Sequence, residues 1–244
     1  MADDYDPRLY GARWAEHYDE WHAGIMDDEG AVAALAELAG DGPVLEFGVG
    51  TGRLAVPLAA RGLDVTGVDI SEEMLAQLHQ KSDQVTTVLG DMTTVQLDRR
   101  FSLAVIAFSS IFVLATQQDQ VALFRNAANH LMPGGRFVLE TTAVTAPSGD
   151  GNSRLRVVKL GHDRLVLSAG VLDPMTSYYN GAWVVIEPSG AKFYPVQGRN
   201  APHHELDLMA ELAGLALENR WGDWKGGPFT AQSTLHVSVY RRPV

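Results

Sequence analysis

Two acidic residues and three glycines, grouped around short apolar segments, are the residues of this chain best suited to bind a ligand. Glu46 lies in the apolar segment 44–47, and Asp69 ends a second apolar segment. The glycines between them stand at alternate positions: Gly48, Gly50 and Gly52. Glycine permits positive φ angles and lets the backbone approach a ligand closely. An acid at the place of Asp69 can accept hydrogen bonds from ribose hydroxyls, so the pattern predicts a nucleoside-binding turn.

The spacing of these residues predicts the elements that hold them. Residues 44–47 predict a strand, residues 53–61 a helix ended by Gly62, and residues 63–68 a second strand. A strand, a crossover helix and a parallel strand form a βαβ unit. The glycines then form the first turn of this unit, and Asp69 stands at the tip of its second strand.

The acid before the glycines limits the charge of the ligand. A dinucleotide fingerprint requires glycine or alanine where this chain has Arg53, and Glu46 would repel a pyrophosphate by like charge. The same carboxylate suits a cationic ligand that carries an ammonium and a sulfonium. S-adenosylmethionine (SAM) is such a ligand and has no phosphate.

Five segments in register resemble the motifs of class I SAM-dependent methyltransferases. LEFGVGTG resembles their first motif, VTGVDIS the second and LGDMTTV the third, while FSLAVIAFSSIFVL and LMPGGRFVLET resemble the fourth and fifth strands. The resemblance is strongest to bacterial small-molecule (natural-product) methyltransferases. It implies an α/β fold with a Rossmann-like, doubly wound, seven-stranded sheet.

The resemblance and the register together give a set of residues expected to bind SAM and its product, S-adenosylhomocysteine. Met74 stands where an adenine face could rest, and Asp91 where it could accept from the adenine amino group. Ser71 is expected to cap the helix 72–80. The full set is Tyr18, Glu46, Gly48, Gly50, Gly52, Asp69, Ile70, Met74, Asp91, Met92 and Phe108.

The N-terminal residues 1–27 predict a helix that covers the site as a lid. Trp14, Tyr18 and Trp21 are three to four residues apart and share one helical face, which suits packing on the core as well as a lid. The segment WAEHYDEW resembles the N-terminal tyrosine-aspartate element of small-molecule methyltransferases. That resemblance implies that Tyr18 approaches the methionine end of SAM.

Residues 146–204 predict an inserted antiparallel sheet within a single domain spanning 1–244. Four segments of short-strand character are separated by turn signals, between core parts at 28–145 and 205–244. The insertion is expected to cover the acceptor side, although a dimer interface fits equally well. A helix over 205–217 and a hairpin of strands near 217–221 and 234–240 complete the prediction.

Methyl transfer from SAM needs alignment and a proton acceptor but no metal, so none is expected. The candidate catalytic residues are Tyr18, His203 and His204, with His17 as a further candidate proton acceptor. Related sugar N-methyltransferases carry a histidine shortly after the fourth strand. Residues 111–113 are apolar here, which weakens a sugar-amine assignment. An aromatic or heterocyclic acceptor is suggested by the apolar patch and the aromatic residues Trp183, Trp221, Trp224 and Phe229.

Composition excludes several other classes. The net charge of −11 and the absence of a basic stripe argue against nucleic acid as acceptor. Without cysteine, disulfides and thiolate metal sites are impossible. No apolar run approaches membrane-spanning length and the N-terminus is unlike a signal peptide, so we expect no membrane partner and a cytoplasmic protein. A homodimer is compatible with the strand-rich insertion.

The expected function is therefore methyl transfer from SAM to nitrogen, oxygen or an electron-rich aromatic carbon of a small molecule, in specialised metabolism. Two alternatives remain open at this point. One is a non-catalytic SAM or adenosine binder whose insertion is an interaction surface, and the other is an NAD-dependent oxidoreductase. A protein or peptide acceptor is also compatible with the sequence.

Overall fold

The computed structural model describes residues 8–22, 27–144 and 153–244 of the chain. Its helices in these ranges are α1 Arg8–Trp14, α2 Tyr18–His22, α3 Asp28–Ala39, α4 Ala55–Ala60, α5 Glu72–Lys81, α6 Gln117–His130 and α7 His203–Leu212, with a 3₁₀ helix at Ser110–Val113. Its strands there are β1 Val44–Phe47, β2 Val65–Asp69, β3 Thr86–Leu89, β4 Phe101–Ile106, β5 Leu131–Thr142, β6 Ser153–Leu160, β7 Leu165–Leu172, β8 Tyr178–Glu187, β9 Gly190–Arg199, β10 Ala216–Trp221 and β11 Leu235–Arg241.

Seven strands form one sheet in the order β10-β11-β5-β4-β1-β2-β3. The strands β1 to β5 are parallel neighbours, whereas β11 runs antiparallel to both β5 and β10. The predicted doubly wound, seven-stranded sheet is confirmed, and so is the closing hairpin. Strand order reverses between β1 and β4, and an open α/β sheet binds ligands at the carboxyl ends of its strands at such a point.

Burial on both faces explains why the central strands are apolar. All four residues of β1 are buried, and β4 is buried at every position except Ser102. One apolar cluster lies on the α3–α4–α5 side of the sheet and a second on the α6–α7 side. Parallel strands covered by helices on both faces require this composition.

The predicted inserted sheet is confirmed as four antiparallel strands in the order β6-β7-β8-β9. Its inner face packs on the N-terminal helices through an aromatic and apolar cluster that includes Trp14, Trp183 and Tyr194. The loop that joins β5 to β6 lies mostly outside the described residues. The insertion therefore forms a second layer beside the main sheet and is joined to it through α1, α2 and the 3₁₀ helix.

Three predicted boundaries need correction. The N-terminal helix is two short helices, because the chain turns at residues 15–17. The fourth strand, predicted within the segment FSLAVIAFSSIFVL, ends at Ile106, since Phe108 and Ser109 adopt positive φ angles of 54° and 62°. The helix expected over 205–217 spans His203–Leu212, because Gly214 takes a φ of +75° and β10 begins two residues later.

Candidate functional site

The glycine turn after β1 is built for close approach of a ligand. Gly48 and Gly50 have φ angles of 65° and 54°, which other residues adopt with strain. Asp69 fixes the turn, since its Oδ2 accepts from the Gly50 N–H at 2.8 Å and its Oδ1 from the Ser71 N–H at 3.0 Å. A carboxylate has about four acceptor positions, so lone pairs of Asp69 remain for hydroxyl donors.

Gly52 has a different role from the other two glycines. A Cβ at this position would lie 2.7 Å from Cγ2 of Val56 and 2.9 Å from Cγ of Leu78. Gly52 therefore allows α4 and α5 to pack closely behind the turn. It supports the site without lining it.

Glu46 lies beneath the turn and is only 4% exposed. One carboxyl oxygen accepts from the Ala55 N–H, whereas Oε2 has no hydrogen-bond partner among the described residues. Burial raises the pKa of this carboxyl to about 8, partly offset by the positive charge of Arg53. A buried acceptor without a partner fits a cationic ligand such as SAM and does not fit a phosphate.

A second buried carboxyl shapes the turn after β4. Glu140 Oε2 accepts from the Phe108 N–H at 2.8 Å and Oε1 from the Trp224 Nε1–H at 2.6 Å. Arg53 reaches the same Oε2 at 3.4 Å and lies over the Phe108 ring. Phe108 is held in its left-handed conformation by these contacts, so Glu140 positions a residue that lines the cavity.

A cavity of about 630 Å³ opens at this edge of the sheet. That volume lies within the usual range for small-molecule sites. All predicted SAM-binding residues line it except Glu46 and Gly52. Those that line it are Tyr18, Gly48, Gly50, Asp69, Ile70, Met74, Asp91, Met92 and Phe108.

Asp91 and Met74, both predicted to contact the adenine, line the cavity. Asp91 Oδ1 accepts from both the N–H and the hydroxyl of Thr93 at 2.7 Å, and Oδ2 has no partner among the described residues. Met74, in the first turn of α5, is buried, and its N–H donates to the N-cap hydroxyl of Ser71 at 3.2 Å. The predicted capping by Ser71 is confirmed.

The N-terminal helices are tied directly to the glycine turn. Thr51 donates its hydroxyl to Asp19 of α2 at 2.6 Å, and Lys81 pairs with Asp19 while donating to the Thr51 carbonyl. A Cβ on Gly11 would lie 2.1 Å from Oγ of Ser71, so α1 touches the start of α5. Tyr18 is thereby carried into the cavity wall, where burial raises its pKa far above the ordinary value.

Comparison with known proteins decides the identity. A family profile described as "Methyltransferase domain" matches residues 44–135. The cypemycin N-terminal methyltransferase of a Streptomyces species is 30% identical over 242 residues, covering 97% of this chain and 99% of that protein. The chain belongs to the SAM-dependent methyltransferase family.

Solved structures agree with this assignment. The CcbJ methyltransferase from Streptomyces caelestis is 37% identical, with a TM-score of 0.91 over 98% of this chain and all of that one. SAM-bound CalS10 from Micromonospora echinaspora, an amino pentose methyltransferase, shares the fold at 22% identity, with a TM-score of 0.67, covering 99% of this chain and 100% of that one. The enzyme therefore uses SAM as methyl donor, and its relatives act in natural-product pathways.

None of the helices in the described ranges is long and apolar enough to cross a membrane.

The methyltransferase cavity extends from the donor residues to the insertion. The inner faces of β6 to β9 contribute to its wall, together with the 3₁₀ helix and the segment 142–144. Tyr179 lies across two glycines, because a Cβ on Gly170 or Gly181 would come within 2.2 or 2.4 Å of its hydroxyl oxygen. The glycines make room for a phenol that faces the cavity.

The predicted histidine pair does not reach this cavity. His203 and His204 begin α7, where the His203 ring packs against Phe229 and against His236 of β11. His204 is exposed. Neither residue lines the cavity, so the expectation that they take part in proton transfer is not supported by their position.

The aromatic residues taken as a hint of an aromatic acceptor are also elsewhere. Trp183 packs beside Trp14 in the cluster between the insertion and the N-terminal helices. Trp224 lies in the main core and Trp221 packs against it, while Phe229 contacts His203. The apolar residues after β4 do contribute, since Phe112 and Val113 line the cavity.

Several site residues were missed by the sequence reasoning. They are Tyr10 and Gly11 of α1, Arg154 and Arg156 of β6, Ser168, Gly170 and Leu172 of β7, Tyr179 of β8, and Gln197 and Gly198 of β9. The alternation of Arg154 and Arg156 with apolar residues could have shown that they share one face of a strand. Nothing in the sequence indicates whether the face of the strand that carries these arginines lines the cavity or faces solvent.

Proposed function

We propose that this methyltransferase transfers a methyl group from SAM to the amine nitrogen of a natural-product acceptor. The observation that carries the proposal is the chemistry of the cavity wall near the insertion. The described residues there include the hydroxyls of Ser109, Ser168 and Tyr179, but no histidine, aspartate, glutamate or lysine. The two acids that line the cavity, Asp69 and Asp91, belong to the donor side.

A wall without a base favours nitrogen over oxygen. A neutral amine attacks with its own lone pair and can release its proton to water afterwards. A hydroxyl is a weak nucleophile at neutral pH, and its attack benefits from a positioned base. SAM supplies a methyl group already activated by its sulfonium, so the residues of this chain need only bind, orient and exclude water.

Tyr18 is the residue proposed to orient the reactants. Burial keeps its hydroxyl protonated at physiological pH, because the pKa is raised mainly by desolvation. A protonated phenol is a hydrogen-bond donor and acceptor but cannot serve as a base. We therefore assign to Tyr18 alignment of the attacking amine, in place of the proton transfer first expected for it.

The cypemycin relative, which matches over nearly its whole length, supports nitrogen as the acceptor atom and a natural product as the acceptor. The cypemycin enzyme is an N-terminal methyltransferase, so a peptide amine joins small-molecule amines among the acceptor classes. The apolar side chains Phe112, Val113 and Leu114 beside the hydroxyls suit an acceptor that is itself partly apolar.

The test is a mass-spectrometric screen with isotopically labelled SAM. The acceptors are matched sets in which one scaffold carries an amine, a hydroxyl or an activated aromatic carbon at the same place. The expected result is labelled methyl on the amine only, at a rate that rises with pH until that amine is neutral. Exclusive labelling of oxygen or carbon contradicts the proposal.

A further inference from the structure

Two arginines on the inner face of β6 are candidates for binding the acceptor. Arg154 and Arg156 both line the cavity. They are two residues apart on one strand, so their side chains leave the same face about 7 Å apart. They pair in register with Gly170 and Ser168 of β7, which line the cavity beside them.

Both arginines are exposed, and neither has a hydrogen bond or ion pair with any side chain in the described ranges. Their neighbours differ in this respect: Lys159 on the same strand lies 4.0 Å from Glu20, and Arg164 pairs with both Glu20 and Glu187. The chain carries 30 acidic and 19 basic residues, so it has ample carboxylates to neutralise these cations. Two unneutralised cations on one cavity wall in an acidic protein indicate a site for an external anion.

Hydroxyl groups beside the two arginines add hydrogen-bond donors for such an anion. The phenol of Tyr179 lies over Gly170, the register partner of Arg154, and Ser168, the register partner of Arg156, carries a hydroxyl with no hydrogen-bond partner among the described residues. A guanidinium presents several donors in a planar fork, which matches the oxygens of a carboxylate or phosphate. The donor-side acids Asp69 and Asp91 would repel the same anion, so it is directed to the insertion side.

We propose that Arg154 and Arg156 form an anion subsite that holds a carboxylate or phosphate group carried by the acceptor, away from the amine that is methylated. The role of the bound molecule as an acceptor rests on the proposed function. The subsite itself rests only on the two arginines and the wall around them. It selects acceptors that carry an amine and an anionic group on one molecule.

A binding experiment tests the subsite without any turnover. Thermal-shift titrations use inorganic pyrophosphate or succinate against sodium chloride at matched ionic strength, with the full chain saturated with S-adenosylhomocysteine. The wild-type protein is expected to be stabilised by at least one of the two anions. The variants Arg154→Gln and Arg156→Gln should each weaken that anion's binding at least tenfold, whereas Arg125→Gln on the exposed surface of α6 should not. Equal binding by all four proteins, or no stabilisation beyond chloride, overturns the proposal.

A second measurement distinguishes the sources of the anion. Labelled SAM is offered with an amino acid and its amide, and with an aminohexose and its phosphate ester. A tenfold or greater preference for the charged member of one pair, lost in Arg154→Gln and Arg156→Gln, supports the subsite and identifies carboxylate or phosphate. Equal methylation of charged and neutral amines overturns the subsite while leaving nitrogen methylation intact. Arginine-dependent anion binding together with methyl transfer only to oxygen contradicts the proposed function and leaves the subsite standing.

Discussion

Gly198 of β9 lies directly against the carbonyl oxygen of Phe112, so closely that a Cβ on the glycine would come within 1.6 Å of that oxygen. This contact joins the inserted sheet to the 3₁₀ helix that follows β4. Both residues line the cavity, so the contact also sets how far apart its two walls stand.

Substitution of Gly198 tests this junction. Gly198→Ala is expected to separate the insertion from the 3₁₀ helix and to lower stability by about 1–3 kcal/mol, since neither backbone can yield easily. The acceptor KM should rise more than the Kd of SAM, because the donor residues lie on the other wall. Urea denaturation and isothermal titration measure the two effects. Gly161→Ala is the matched control, because a Cβ there meets its nearest atom at 3.5 Å. A Gly198→Ala enzyme with unchanged stability would show that the two elements move apart freely.

Asp69 is expected to contribute much of the binding free energy of SAM. Asp69→Ala removes the hydrogen bonds from the Gly50 and Ser71 N–H groups as well as the acceptors available to a ribose. Loss of a hydrogen bond to a charged group amounts to about 1.5–3 kcal/mol, so the Kd of SAM should rise roughly 10–100-fold. Asp64→Ala, which removes an exposed ion pair with Arg99, serves as the control and should leave the Kd unchanged. Equal affinity in both variants would remove Asp69 from the donor site.

Glu46 should make stability depend on pH in a predictable direction. Its pKa of about 8 in the folded chain lies above the ordinary value of 4.5 for the unfolded chain, so the folded state holds the proton more tightly. This contribution is complete below about pH 4.5 and is lost as the pH rises toward 8. In Glu46→Gln that loss disappears, so the variant should gain in melting temperature over the wild type between pH 5 and 8. Exposed Glu37→Gln should follow the wild type.

SAM binding is expected to release a proton from the Glu46 carboxyl near pH 7. An ammonium placed beside this carboxyl favours its ionised form, so the pKa of Glu46 falls when SAM binds. Titrations in buffers of different ionisation enthalpy count that proton. If the wild type releases no proton on SAM binding, Glu46 supports the turn without contacting the ligand.

Tyr18 and His204 should behave in opposite ways. Tyr18→Phe removes a hydroxyl from the cavity wall and is expected to lower kcat by about tenfold or more, with little change in the Kd of SAM. The raised pKa of Tyr18 keeps its proton in place, so the wild-type pH–rate profile should show no limb that Tyr18→Phe abolishes. His204→Ala should leave kcat and KM unaltered, because His204 is exposed outside the cavity. A large fall in kcat for His204→Ala would restore the histidine as a catalytic candidate.

The donor half of the site could be predicted because it is local in sequence. Glu46, the glycines and Asp69 belong to one βαβ unit, and the geometry of that unit follows from its spacing. The same reasoning failed where placement depends on distant elements. His203 and His204 follow the insertion and begin α7, but only the packing of α7 and the contact of His203 with His236 show that they lie outside the cavity.

The acceptor half depends on register and on backbone strain that the sequence does not state. The pairing of β6 with β7 decides that Arg154 and Arg156 face inward, and a shift of one residue would turn both outward. The left-handed conformation of Phe108 depends on Glu140, which is 32 residues away in the chain. Neither feature has a local signature.

The inserted sheet is continuous in sequence from Ser153 to Arg199, while the predicted SAM-binding residues of the main sheet lie between Glu46 and Phe108. The two walls are therefore encoded by separate stretches of the gene. Evolution can vary one stretch to change which acceptors are methylated while the other preserves affinity for a common methyl source. Exchange of the 153–199 stretch between relatives, with its glycine at the 3₁₀ contact retained, is accordingly the natural route to enzymes of altered substrate range.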